Sequence, residues 1–364
     1  MNKFVVAILC VAVILVSCAP AVEKLEKPLK IGAILPLTGP AAIWGENIRN
    51  GMLIAQEDLA KQGITVDIVF EDSQAKPDVG LTAYRKLKDI DGVNMVISAF
   101  SRVSVPLVPI IDSDKTPLMM TLVSAKGVAE QSPYSFRFYS NERQYVEPQF
   151  AWMTADKYPT VAVLWINDDF GAAVHEVILE QAKSKGIDTV ADEKYDPNSV
   201  DFRTQLTKIK VKNPSAVLFV GSVPPEVSNA LKQMREMGIT ADFIENSAAL
   251  ASPAARQAAG AAAEGAVTMA FPFSLGATGD AFKQAYKQRF NADPNFGAAF
   301  GYDMVKLVGQ ASQGKAMTGD ALAQSIIAVQ SFESLNGPVS ILPNGEINPD
   351  IVPAVVSKGE IIAR

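Results

Sequence analysis

The sequence predicts an α/β protein made of two similar domains, each built on a mostly parallel sheet with helices on both faces. Three observations predict it. Apolar strand-like runs alternate with segments of helical period along most of the 364 residues. The alternation runs twice, for about 110 residues each time, which suggests two right-handed βαβ series. The chain is also longer than one hydrophobic core usually supports. With 48% apolar and 20% charged residues, its composition is that of a globular protein, not of a disordered tail, a collagen or a coiled coil.

In the first series, residues 29–35 are apolar and closed by Pro36. Residues 41–62 carry Ile43, Ile48, Met52, Ala55 and Leu59 near helical spacing, and residues 65–70 form the next expected strand. A helix over 79–88 leads to a strand over 94–99. Pro106 and Pro109 predict a bent or short helix within 103–113, ahead of a strand over 117–122. The rhythm restarts after Arg137, with helices expected over 145–156, 172–185, 202–210 and 226–237. The strands expected between them cover 160–166, 189–195, 216–220 and 242–244. Gly63, Gly186 and Gly238 each precede an isoleucine at a helix end, where a left-handed cap suits glycine. The Ala-rich residues 251–265 read as a helix packed closely on a sheet, and 280–289 and 296–310 as further helices. Residues 337–341 and 351–356 resemble short strands around a turn at Asn344-Gly345.

The N-terminus reads as a targeting segment. Lys3 precedes a run of 13 apolar residues, 4–16. A spanning helix needs about 20, so the run reads as a signal h-region. Leu15-Val16-Ser17-Cys18 looks like a lipobox, with cleavage before Cys18 and acylation of its thiol. Residues 1–17 are then a signal peptide and 18–28 a lipidated tether. Cys10 leaves with the signal, so the mature body holds no disulfide, cysteine nucleophile or thiolate metal site.

Charge and motifs exclude further classes. Net charge is -6 with no long basic block, which argues against nucleic acid as a partner. His175 is the single histidine, so no multi-histidine metal site can form. Dinucleotide and phosphate-loop glycine motifs are absent, as is the Gly-x-Ser-x-Gly elbow. Ser312 and Lys315 match Ser-x-x-Lys, but in a Gly-rich helix end without partner motifs. Asp168-Asp169 reads as the cap of a helix on whose face His175 lies. Neither catalysis nor a cofactor is expected. Binding remains: residues just past the strand ends (Thr38, Gly39, Trp44, Phe100, Ser101, Ser124, Ala125, Phe170, Ser222 and Val223) are mostly small, hydroxylated or aromatic. In parallel α/β sheets ligands sit beyond those ends. Hydroxyls and helix-start N–H groups suit a carboxylate or polar head, and aromatics an apolar or planar body.

The opening Lys30-Ile-Gly-Ala-Ile-Leu-Pro-Leu-Thr-Gly-Pro40, then Trp44-Gly45 and Gly51, resembles the start of type I periplasmic binding proteins. The nearest branch is the leucine/isoleucine/valine-binding group of ABC importer receptors. Asp72-Ser73, Asp168-Asp169-Phe170-Gly171, Asp201-Phe202, Gly301-Tyr302-Asp303 and Gly337-Pro338 extend the likeness over residues 29–360. The resemblance implies two doubly wound lobes joined by three crossovers, near residues 140, 272 and 337. Lobe one would comprise 29–140 with 273–336, and lobe two 141–272 with 337–364. Ligand would lie between them and trigger a hinge closure, which a membrane permease reads. The implied protein is a monomer in the bacterial cell envelope, lipid-anchored through Cys18 and facing the periplasm or exterior.

The resemblance also implies site residues. Ser101 falls where a serine holds the ligand carboxylate. Val123, Ser124 and Ala125 fall on the loop that binds carboxylate and ammonium, with Ala125 in place of the usual hydroxyl residue. Trp44, Phe100 and Phe296 line the side-chain pocket, Phe170 closes over it from lobe two, and Val223 replaces an aromatic. The usual ammonium-binding acid aligns near Ser247, two residues beyond Glu245. Either Glu245 serves, or the ligand lacks an α-ammonium, since an unpaired buried ammonium costs several kcal/mol. The implied ligand is a branched-chain or other apolar amino acid. The alternatives are an aromatic or aliphatic carboxylate or an amide without ammonium, and an envelope lipoprotein that uses the fold to hold a partner protein. A hydrolase around His175 or Ser312 and Lys315 has almost no support.

Overall fold

The computed structural model describes residues 28–276 and 278–364. The expected signal peptide, most of the expected tether and Cys18 lie outside the described residues. The first half forms β1 (Leu29–Leu35), α1 (Ala42–Lys61), β2 (Val66–Asp72), α2 (Pro77–Arg85), β3 (Met95–Ala99), α3 (Ser101–Ser104), α4 (Val108–Ser113), β4 (Leu118–Thr121) and β5 (Ser135–Phe138). The second forms α5 (Glu142–Trp152), β6 (Thr160–Ile166), α6 (Asp169–Ser184), β7 (Asp188–Tyr195), α7 (Arg203–Lys212), β8 (Ala216–Val220), α8 (Pro224–Glu236), β9 (Asp242–Glu245), α9 (Pro253–Ala259) and β10 (Val267–Ala270). After these come α10 (Asp280–Phe290), α11 (Phe296–Ala311), α12 (Gly319–Ile327), β11 (Ser331–Ser334), β12 (Gly337–Ser340), β13 (Glu346–Ile347), β14 (Val352–Ser357) and β15 (Glu360–Ala363).

The two large sheets share one winding. The first runs β13-β5-β4-β3-β1-β2 and is parallel throughout. The second runs β15-β14-β10-β9-β8-β6-β7, with antiparallel β14 and β15 added at one edge. Each order reverses once, at β1/β3 and at β6/β8, which places a crevice at the carboxyl ends of those strands. Along β6 and β8, Val161, Val163 and Leu218 join the core shared with lobe one. Ala162, Leu164 and Phe219 join a separate core on the opposite face.

Local chemistry explains the elements. Gly63, Gly186 and Gly238 have φ of 79°, 66° and 70°, as C-terminal caps require. Pro106 and Pro109 break the 101–113 segment into α3, a 3₁₀ turn and α4. α1 lies tight against α11 because Gly51 has no side chain: a Cβ there would overlap the carbonyl of Ala298.

The structure corrects three expectations. The Ala-rich 251–265 segment is not one helix: α9 is short, flanked by 3₁₀ turns, with Pro253 at its start and Gly260 in a positive-φ conformation at its end. Its neighbour is α8. Strands β5 and β10 and helix α12 were not expected, since four buried residues are too few to show a period. The third passage between the sheets falls at residues 348–351 and not near 337, because β13 pairs with β5 in the first sheet. Arg137 fixes that pairing: its Nε and Nη2 donate to Glu346 at 2.9 and 2.7 Å, and its Nη1 donates to the carbonyl of Ala125 at 2.7 Å. Residues 337–347 therefore belong with lobe one.

Candidate functional site

The carboxyl ends of the two sheets face each other across a narrow cleft. Lobe one lines it with Trp44, Phe100, Leu122 and Phe296. Lobe two contributes Phe170, Gly221, Ser222, Ser247, Ala248 and Ala249, and the first crossover and α5 add Tyr139 and Tyr145. Their backbone setting is unusual. Phe100 and Leu122, each immediately after a strand, have φ of 74° and 54°, a left-handed conformation that bulky residues adopt only when their surroundings enforce it. These turns lift two apolar side chains into the cleft.

An aromatic chain crosses from lobe to lobe. Trp44 packs on Phe296 with centroids 4.7 Å apart, Phe296 on Phe271 at 5.1 Å, and Phe271 on Tyr139 at 5.5 Å. Tyr139 meets Tyr145 at 5.9 Å, and Tyr145 meets Phe170 edge-on at 6.4 Å. Burial pushes both phenols well above their ordinary range, so they stay neutral donors. Trp44 Nε1, Tyr145 Oη and Ser222 Oγ are buried at this cleft with no hydrogen-bond partner. Such donors call for an acceptor.

Five of the eleven expected ligand residues, Trp44, Phe100, Phe170, Ser247 and Phe296, line this one cleft. The other six lie behind its walls. Ser101 Oγ accepts from the Ser124 N–H at 3.2 Å, and Ser124 Oγ donates to the carbonyl of Ser140 at 2.8 Å, tying the loop to the first crossover. Val123 and Ala125 are buried in the core. Val223 is buried at the start of α8, and its neighbours Gly221 and Ser222 reach the cleft instead.

Glu245 is turned away from the cleft. Its fully buried carboxylate accepts from the Ser247 hydroxyl, the Thr268 hydroxyl at 2.5 Å, and the N–H groups of Ala249 and Leu250 at 2.8 and 3.1 Å. Burial raises its pKa and these donors oppose that shift. Gln149 Nε2 holds the Glu245 carbonyl from behind at 2.6 Å. This carboxylate builds the Ser247–Ala249 wall, and no carboxylate lines the cleft among the described residues.

Other groups sit where local structure needs them. Asp72 accepts from Leu37 N at 2.8 Å and from Thr38 Oγ1 at 2.5 Å, which takes Thr38 out of the cleft. Asp168 caps α6 by accepting from Gly171 N at 2.9 Å, and a Cβ on Gly171 would collide with the Ile166 carbonyl. His175 stacks on Trp165 at 4.4 Å and lies 2.9 Å from Asp192, outside the cleft. Ser312 Oγ donates to Gly309 at 2.9 Å, a helix-end bond. Among the described residues no cluster of three or more metal-ligating side chains occurs, and no helix is long and apolar enough to cross a membrane.

Sequence reasoning missed Leu122, Tyr139, Tyr145, Gly221, Ala248 and Ala249. Gly221 ends the same strand that pointed to Ser222, so the strand-end rule could have found it. Tyr139 and Tyr145 flank a crossover, and only its folding brings them to the cleft.

A family model described as periplasmic binding protein matches residues 28–360. The chain belongs to that family. The Leu/Ile/Val-binding protein BraC3 of Rhizobium johnstonii is 24% identical over 59% of this chain and 60% of its own length. This chain thus spans about three fifths of such curated relatives. In structure it resembles LivJ of Streptococcus pneumoniae, solved with isoleucine, at TM-score 0.82 and 21% identity, covering 93% of this chain and 98% of that one. It also resembles a solute binding protein of Rhodopseudomonas palustris BisB5, solved with 3,4-dihydroxy benzoic acid, at TM-score 0.79 and 25% identity, covering 92% and 95%.

Proposed function

We propose that this protein is an extracytoplasmic solute receptor of an ABC importer whose lobes close on a small apolar or aromatic ligand. The ligand carries an acceptor head, a carboxylate or an amide, and no ammonium. One observation carries the reading: six aromatic rings and three partnerless donors surround the cleft, while the nearest candidate ammonium partner, Glu245, is consumed by four internal donors. A desolvated ammonium would find no carboxylate among the lining residues. The acceptor head would meet Trp44, Tyr145 and Ser222, and the rings of Trp44, Phe100, Phe170 and Phe296 would enclose the body. A relative that binds Leu, Ile and Val and a structural neighbour holding 3,4-dihydroxy benzoic acid bracket this chemistry. In this reading Cys18 carries the lipid that tethers the receptor, and a permease recognises the closed form.

Thermal unfolding of the purified protein with a ligand panel tests the reading. A ligand at a thousand times its Kd adds about 4 kcal/mol of stability. The expected result is a rise in Tm with benzoate, hydroxybenzoates, 4-methylpentanoate or short amides that exceeds any rise with leucine, isoleucine or valine. A shift with the amino acids alone would return the ligand to the branched-chain class. Incorporation of labelled palmitate that Cys18→Ala abolishes is the expected result for the anchor.

A further inference from the structure

Two buried arginines differ in a way that points to function. Arg137 uses Nε, Nη1 and Nη2 in bonds of 2.7–2.9 Å, so the fold accounts for it completely. Arg102 is as well buried, with 8% of its side chain exposed, yet its one bond is a 3.3 Å contact from Nη1 to Asp168. Its Nε and Nη2 are buried with no partner. A guanidinium held this way costs desolvation that the fold does not recover.

Its position gives it a use. Arg102 belongs to lobe one, and Asp168 caps a lobe-two helix, so the pair spans the two lobes. The guanidinium sits 5.4 Å from the ring centroid of Phe100, which lines the cleft. Asp168 lies two residues before Phe170, another lining residue. The Glu226 carboxylate also feels the Arg102 charge and accepts from the N–H of Ser222, a third lining residue, at 2.8 Å. Behind this edge of the cleft lobe two holds the buried carboxylates of Asp168 and Glu226, and Arg102 of lobe one contacts the first of them.

We infer that Arg102 is a specificity-determining residue: its guanidinium occupies the position of positive charge beside Asp168 at the junction of the lobes, so the closed cleft selects carboxylate ligands and rejects those with an ammonium. This rests on the proposed receptor function and names the residue behind its ligand class. Arg102 stands behind the lining residue Phe100, so its charge acts on the cleft through the field and not by contact: it opposes an entering ammonium and favours a carboxylate.

Calorimetric titration of the intact protein with matched pairs tests it: 4-methylpentanoate against leucine, and 3-phenylpropanoate against phenylalanine. The readout is the ratio of Kd for the amine-bearing member to Kd for the amine-free member. The wild type is expected to favour the amine-free member. Arg102→Met should lower the ratio about tenfold or more, and Arg102→Lys should hold it within about threefold. Asp168→Asn keeps a capping oxygen and leaves Arg102 less compensated, so it should raise the ratio; this variant stands in should Arg102→Met fail to fold. A ratio unchanged in Arg102→Met, one lowered in Asp168→Asn, or a wild type that prefers the amine-bearing member overturns the inference while leaving a receptor. A wild type that binds neither member of either pair, nor benzoate, overturns the receptor reading and this inference with it.

Discussion

Lobes one and two wind their first five strands in the same order, yet they bury charge in different places. In lobe one the carboxylate of Asp303, on α11, lies outside the cleft lining and holds the β11–β12 turn through the N–H of Leu335 at 2.9 and 3.1 Å. In lobe two Asp168, Glu226 and Glu245 all stand directly behind the cleft wall, and each orders backbone N–H groups at a strand end or helix start. Lobe one therefore lines the cleft with rings and strained turns, while lobe two lines it largely with loops shaped from behind by buried acids. A shared topology decides where a site can form, and the side chains at the strand ends decide its chemistry.

The largest expected effect is a pH dependence in lobe one. Burial raises the Asp303 pKa from 3.8 to about 8. Because the folded value lies above the unfolded one, its penalty is absent below about pH 4, grows as pH rises and is complete above about pH 8, on the order of 5 kcal/mol. Melting temperatures between pH 4 and 9 should fall with rising pH in the wild type and lose much of that slope in Asp303→Asn; an equal slope in both would remove Asp303 from the account.

Next comes the acid that shapes lobe two. Glu245→Ala strands two hydroxyls and two buried N–H groups and should cost about 3–5 kcal/mol in denaturant unfolding. Glu245→Gln, which keeps an acceptor, should cost less and should change the affinity for amine-free carboxylates by under about threefold. A large gain or loss specific to amine-bearing ligands would place Glu245 in the cleft after all.

Gly171→Ala should cost about 2–3 kcal/mol, because the new methyl must displace the start of α6 from the Ile166 carbonyl. It should also weaken ligand binding by moving Phe170. Gly39→Ala serves as the lobe-one control: nothing stands within 4 Å of its Cβ position, and only its φ of 82° resists the change.

The smallest effect contrasts an exposed inter-lobe pair with Arg102–Asp168. Lys126 and Glu176 meet at 3.0 Å with 66% and 63% of their side chains exposed. Lys126→Ala should change stability by less than about 0.5 kcal/mol and leave the amine-selectivity ratio unmoved. A shift in that ratio would mean that any charge bridging the lobes tunes specificity.

Sequence alone determined what depends on local pattern. The period of apolar residues marked strands of five or more residues in both lobes, and residues 160–166 and 216–220 match the observed strands throughout. The prolines foretold a broken helix, the glycines foretold the caps, and strand ends pointed to Trp44, Phe100 and Phe170. Tertiary structure decided what depends on pairing at long range. Whether β13 joins the first or the second sheet turns on Arg137 meeting a glutamate 209 residues away. Whether Glu245 faces a ligand or the protein turns on donors from Ser247, Ala249, Leu250 and Thr268, some on the same loop and one on the next strand. The direction a side chain takes at the end of a strand is set by which neighbour satisfies its polar atoms. That neighbour is brought there only by the folded chain.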